Sequence, residues 1–148
     1  MSKRSRLVPT LTLKVRDTCL CLHAQRAARA LARRYDEALR PLGLTSGQFS
    51  LLMALNRPQA PDIGSVATVL AMDRTTLTAN LKPLARRRLV RVIAHKEDKR
   101  ARRLLLTPSG QRLLAAAMPA WRRTQRAAER LLKDSNVDQL RADLRALS

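Results

Sequence analysis

The chain has 148 residues, about one domain's length, and carries 30 Lys and Arg against 11 Asp and Glu, a net charge of +19 that calls for a polyanionic partner, nucleic acid first and an anionic membrane surface second. Aromatic residues make up only 2% of the chain, one Phe, one Tyr and one Trp, too few for the stacking platforms of a single-strand binder, so duplex DNA is favoured. No apolar run approaches the ~20 residues of a membrane span, and the basic Met1–Arg6 segment leads into no signal-peptide apolar core, so the expected location is the cytoplasm.

Residues 1–16, with Pro9 and several basic side chains, are expected to form a basic, poorly ordered N-terminal arm. Asp17 or Thr18 can cap the first helix. Leu20, Ala24, Ala27, Leu31, Tyr35 and Leu39 then recur at spacings of three and four, one apolar face of a long amphipathic helix that stops before Pro41. Cys19 and Cys21 fall at its start, too close together for an ordinary structural disulfide and too few for a zinc site. Thr45-x-x-Gln48 is a capping box opening a second helix, whose buried face is assigned to Phe49, Leu52, Met53 and Leu55.

Asp62 can cap a short third helix, Ile63–Ala71, with Val66, Ala67 and Leu70 inward. Asp73 can cap a fourth, running through Thr76, Leu77, Leu81 and Leu84 toward Arg88, and only Met72 and its neighbours separate the two. A short helix, a tight turn and a second helix with a polar start make a helix-turn-helix pattern. The turn lacks the glycine often found there, and Pro83 predicts a kink or an early-turn adjustment. Leu89–Ala94 and Arg102–Leu106 read as two strands joined by the charged loop His95–Ala101, a hairpin with a long basic tip. Thr107 caps a further helix with Pro108 at its first position, running past Leu113, Leu114 and Met118, with a kink expected at Pro119, to Leu132. A last helix covers Val137–Leu147.

The stretch Met72-Asp73-Arg74-Thr75-Thr76-Leu77-Thr78, then Leu81-x-x-Leu84, Arg88-Leu89-Val90, Asp98-Lys99-Arg100 and Leu106-Thr107-x-x-Gly110 resembles the MarR family of winged-helix regulators. The order and spacing hold over about 40 residues, and the flanking helices fit as well. The resemblance implies a fold that is mostly α with a small β-hairpin wing: a winged helix-turn-helix DNA-binding domain over 43–107, flanked by an N-terminal dimerisation helix over 17–42 and C-terminal dimerisation helices over 108–148. It also implies a homodimer, in which the first and the last two helices of the two subunits interlock. The residues agree, since a long helix at each end with Leu and Ala stripes has no obvious partner in a small winged domain, and two-fold dimers are the commonest closed assembly.

The fourth helix is expected to enter the major groove of double-stranded DNA. Arg74, Thr75, Thr76, Thr78 and Asn80 are its candidate base readers, since Arg suits guanine, Asn suits adenine, and Thr offers a hydroxyl or a methyl. Of these, Thr76 has the alternative of facing the core. Lys82 and Arg86 suit phosphates. The resemblance makes Asp98-x-Arg100 the wing motif: Arg100 would insert into the minor groove and Asp98 would hold its guanidinium, while Lys96, Lys99, Arg102 and Arg103 would add backbone attraction.

Regulators of this family usually release DNA when a small aromatic or phenolic anion binds between the dimer helices and the winged domain. Some instead sense oxidants through a cysteine early in the first helix, with a Tyr fourteen residues later. Cys21 and Tyr35 have that spacing, but the family's second Tyr, four residues after the Cys, is Gln25 here. The alternative is that Cys19 and Cys21 are small buried hydrophobes. His23 and His95 lack ligand-spaced partners, no catalytic constellation or phosphate-binding glycine loop stands out, and neither a metal, a cofactor nor an enzymatic activity is expected. Two other readings stay open: a sequence-tolerant architectural DNA-binding protein that works by charge alone, and a ligand- or oxidant-sensing module whose DNA binding is secondary. The expected role is that of a repressor that binds a pseudo-palindromic operator as a homodimer and is released by such a small-molecule ligand.

Overall fold

The computed structural model describes residues 7–94, 97–98 and 101–148. Its elements in chain order are α1 (Pro9–Thr18), α2 (Leu20–Leu39), α3 (Ser46–Leu55), α4 (Ile63–Val69), α5 (Arg74–Arg86), β1 (Val90–Ala94), β2 (Arg102–Leu106), α6 (Pro108–Leu131) and α7 (Val137–Ala146). A mostly helical chain with one two-stranded antiparallel hairpin is the fold class expected. None of the described helices is long and apolar enough to cross a membrane.

The first departure from expectation is at the N-terminus. Of the arm expected over residues 1–16, residues 1–6 lie outside the described residues and 9–16 are helical, within α1: Pro9 sits at the first helical position, where its fixed φ is pre-organised. The cap of α2 also moves. Arg16 holds the Asp17 carboxylate at 2.6 and 3.0 Å, and the Thr18 hydroxyl donates to the Lys14 carbonyl at 2.7 Å. Both predicted caps are therefore occupied. Cys19 takes the role, with extended backbone and its Sγ accepting from the Leu22 amide at 3.5 Å.

Other local signals hold. The Thr45 hydroxyl accepts from the Gln48 amide and the Gln48 side chain accepts from the Thr45 amide, both at 3.1 Å, so the capping box forms as read. Asp62 and Asp73 cap α4 and α5. Helix α4 stops at Val69, two residues short of the expected end, because Ala71 turns the chain with φ 49. An alanine in that left-handed region costs about 1 kcal/mol that glycine would not. Helix α5 continues through Pro83 to Arg86, and α6 through Pro119 to Leu131.

The core joins the winged domain, expected over 43–107, to both flanking helices: α2 contributes Leu39, and α6 contributes Leu114, Ala117 and Ala120. Leu39, Phe49, Leu52, Leu55, Val66, Leu77, Leu84, Val90, Leu104 and Leu114 are all buried in one cluster. Phe49 stacks on Trp121 at 6.3 Å between ring centroids, which fastens α3 to α6. Met53, expected inside, lies on the surface, and Leu51 and Ala54 are buried instead. The hairpin pairs Val90 with Leu106 through Ala94 with Arg102, and Leu104 donates to the Pro61 carbonyl at 2.8 Å, tying the wing to the loop before α4.

The outer helices contrast with this domain. No residue of α1 or α7 is buried, and α2 buries only Leu39. Of the predicted apolar face of α2, Leu20 and Leu31 are 70% and 41% exposed within the single chain.

Candidate nucleic-acid interface

Helix α5 is held from behind. Its apolar residues Leu77, Leu81 and Leu84, spaced at three and four, are buried against the core, so its opposite face must be solvent-facing. Arg74, Thr75, Thr76, Thr78, Asn80, Lys82 and Arg86 are all exposed. Not all are equally available. Thr76 donates its amide and its hydroxyl to the Asp73 carboxylate at 2.8 and 2.6 Å, and is thus committed to the cap. The Thr78 hydroxyl donates back to the Arg74 carbonyl at 2.8 Å, which leaves its methyl and an oxygen lone pair outward. The Asn80 amide lies 3.6 Å from the Met72 sulfur.

The helix and the wing share a groove. Its lining comprises Asp62, Ile63 and Gly64 at the start of α4, Arg74 and Thr78 of α5, and Ala101 and Arg102 of the wing. Two of the predicted base readers and one predicted wing cation thus face one cleft. Asp98 and Arg102 are exposed on the wing. Lys96, Lys99 and Arg100 lie outside the described residues. Arg103 ties the wing to the fold: its guanidinium donates to the Ala60 carbonyl at 3.0 Å and the residue is half-buried.

Two contacts that position α5 were not foreseen. Arg87, just past the end of α5, donates to the Gly43 carbonyl at 2.7 Å, where Gly43 itself turns the chain with φ 65 between α2 and α3. At the other end of the wing, the Thr107 hydroxyl lies 2.7 Å from the Arg88 carbonyl and 3.0 Å from that of Leu89, and its amide donates to Leu89. An Arg one residue past a helix and a capping Thr are common enough that local sequence does not reveal their partners.

The cap of α5 titrates. Hydrogen bonds from the Thr76 hydroxyl and then the Thr76 amide hold the Asp73 carboxyl below its ordinary value of 3.8. Because the folded value is the lower one, the stability that this cap contributes is full above the ordinary value and is lost as pH falls through the lowered one. Thermal unfolding of Asp73→Ala against the wild type checks this: the gap in Tm is expected to be widest at neutral pH and to close below the carboxylate range. A gap independent of pH would show that the charge of Asp73 does not carry the cap.

A second cleft lies behind the reading domain, where Tyr35 and Leu39 of α2 meet Ser46, Phe49 and Ser50 of α3 and Trp121 of α6. Beside it the Tyr35 hydroxyl donates to the Gln125 side chain, whose amide donates to Glu129 at 2.8 Å, and Glu129 in turn faces Arg141 of α7 at 3.5 Å. Burial and the Glu129 carboxylate raise the Tyr35 phenol above its ordinary pKa. Cys21 is exposed, and Gln25 donates to its sulfur at 3.4 Å. It stands fourteen residues from Tyr35 on one helix, about 21 Å away at 1.5 Å per residue, so this thiol and phenol do not meet within one chain. Within the single chain Cys19 is half-buried and Cys21 exposed, so neither packs into this chain's own core. Among the described residues no group of three His, Cys, Asp or Glu could hold a metal ion.

No model of a known protein family matches the chain. The transcriptional regulator MosR of M. tuberculosis, solved in complex with DNA, is 40% identical, with 87% of this chain and 92% of that one covered and a TM-score of 0.77. The transcriptional repressor CouR of Rhodococcus jostii, solved on a 23-mer DNA duplex, is 26% identical over 97% of this chain and 99% of its own, with a TM-score of 0.79. The HTH-type transcriptional regulator SarZ of Staphylococcus haemolyticus is 30% identical over 91 residues, 62% of this chain, and the chain spans only 62% of that curated relative's length.

Proposed function

We propose a function from the premise that this chain belongs to the MarR family of winged helix-turn-helix transcriptional regulators and is a DNA-binding transcriptional regulator. It engages a pseudo-palindromic operator as a homodimer, acts as a repressor, and leaves the DNA when a small aromatic or phenolic ligand binds. The observation that carries this reading is the shared groove of Arg74, Thr78 and Arg102 on the solvent side of a helix whose other side is locked into the core. A rigid helix that presents Arg and Thr, beside a basic wing, can address base edges and phosphates together.

Dimerisation is supported by what the single chain leaves uncovered. Leu20 on α2 and Leu144 and Leu147 at α7 are 70%, 49% and 66% exposed on helices that bury only Leu39 between them, and Leu131 at the end of α6 is 59% exposed; a two-fold pairing of these helix faces would bury them. The effector reading rests on the cleft bounded by Tyr35, Phe49 and Trp121, which gathers all three aromatic side chains of the chain. It lies between α2 and the reading domain, so a ligand wedged there would alter the spacing of the two reading helices.

Selection of binding sites from a random duplex pool, followed by footprinting, tests the reading. A discrete two-fold-related protected site is expected, whereas uniform coating would mean an architectural protein. On the selected operator, Arg100→Ala is expected to weaken binding by about 1–3 kcal/mol per contact, the scale of one good arginine contact. Unchanged affinity in that titration would remove Arg100 from the mechanism.

A further inference from the structure

Position 64 is an odd place for a glycine. It is the second residue of α4, inside the first turn of a helix, where alanine is intrinsically better, and it is not among the residues with positive φ. The reason lies across the groove. A Cβ built on Gly64 would stand 2.9 Å from Nη2 and 3.6 Å from Cζ of Arg74, and 3.3 Å from Oδ1 of Asp62. The Arg74 guanidinium is therefore laid against the bare backbone of α4, in a space that any side chain at 64 would fill. The Asp62 carboxylate on the near side is itself fixed, accepting from the Ser65 amide at 2.7 Å.

We propose that Gly64 is a specificity-determining positioning residue: by carrying no side chain, it provides the floor on which Arg74 is oriented toward one base pair of each half-site. The inference rests on the reading of this chain as a sequence-specific DNA binder. Bidentate recognition of guanine needs both the position and the plane of a guanidinium set in advance. A long Arg side chain on an exposed helix face has many rotamers, and the bare backbone at Gly64 leaves room for the one in which its guanidinium lies 2.9 Å from where a Cβ would stand. The obstruction that a methyl at 64 would create is at the far end of a flexible side chain, so the fold can accommodate it while Arg74 cannot keep its place.

The test uses the full chain and the operator obtained by selection. Wild type, Gly64→Ala, Arg74→Ala and the double variant are titrated against that operator and against its single-base-pair variants, and each protein is melted. Gly64→Ala is expected to melt no lower than wild type, yet to flatten base preference by about tenfold at the same base pair that Arg74→Ala flattens. In the Arg74→Ala background it should change nothing further. The proposal is overturned if Gly64→Ala leaves that preference intact, if it costs as much with Arg74 absent, or if Arg74→Ala alters preference at no position while an operator is still selected. A pool that yields no operator at all would overturn the underlying reading together with it, and these last two outcomes are distinguishable.

Discussion

Operator affinity is expected to fall by roughly three to five orders of magnitude as salt rises from about 50 to about 200 mM, the loss that goes with 6–10 neutralised phosphates. The basis is the number of cations that the reading face presents. Lys82, Arg86 and Arg102 are exposed around the groove, Lys96, Lys99 and Arg100 follow in the wing sequence, and a two-fold dimer doubles the set. With some of these set aside for base edges or solvent in the proposed mode of binding, about twelve candidates come down to about eight phosphate contacts. Few acids blunt this field. Among the residues lining the groove Asp62 is the one acid. The measurement is a log–log plot of the binding constant against salt at fixed pH. A slope near zero would remove DNA as the principal partner and return the charge of +19 to a general property of a basic protein.

The second large effect is structural. Gly110→Ala is expected to destabilise the chain by about 1–3 kcal/mol, the usual cost of overpacking, and to lower Tm by roughly 2–12 °C. A Cβ at 110 would fall 2.2 Å from the Leu89 carbonyl oxygen and 2.6 Å from a Leu106 methyl. Neither can yield cheaply. The Leu89 carbonyl already accepts from the Thr107 amide, with the Thr107 hydroxyl 3.0 Å away, and Leu106 is buried in the hairpin. The methyl would push α6 away from the junction where α5 passes into β1, and operator binding should fall with stability. Gly47→Ala is the control: its Cβ would meet only Thr45 Oγ1 at 4.0 Å, so Tm should hold or rise. Equal melting of Gly110→Ala and wild type would show that the backbone at Leu89 is free to move, contrary to its hydrogen bonds.

Much of the domain was legible because its signals are local. A capping box needs two side chains three residues apart, and Thr45 and Gln48 suffice whatever surrounds them. Asp62, Asp73 and Thr107 announced three more helix starts in the same way. The period of Leu77, Leu81 and Leu84 fixed which face of the reading helix turns inward, and therefore which of its polar residues turn out. Where these signals failed, two residues competed for one role. Asp17 and Thr18 were both plausible caps until Arg16 and the Lys14 carbonyl occupied them, which left the cap to Cys19. Met53 and Leu51 are both apolar at neighbouring positions of α3, and periodicity over ten residues does not say which the rest of the core will meet.

Composition, capping residues and periodicity were thus enough by themselves for a basic, mostly helical chain with a helix-turn-helix pattern whose second helix is capped by Asp73 and followed by a hairpin, because each depends on residues within a few positions of one another. Only the tertiary structure decided how that helix is aimed. Arg87 on the Gly43 carbonyl, Arg103 on the Ala60 carbonyl and Arg74 across Gly64 join residues 44, 43 and 10 positions apart. Side-chain type alone gives an arginine no preference between a phosphate, a base edge and a distant carbonyl. The same holds for the apolar stripe on α2: its spacing predicted a buried face, but whether a partner lies inside the chain or outside it depends on what the fold brings against it, and within one chain Leu20 and Leu31 remain uncovered.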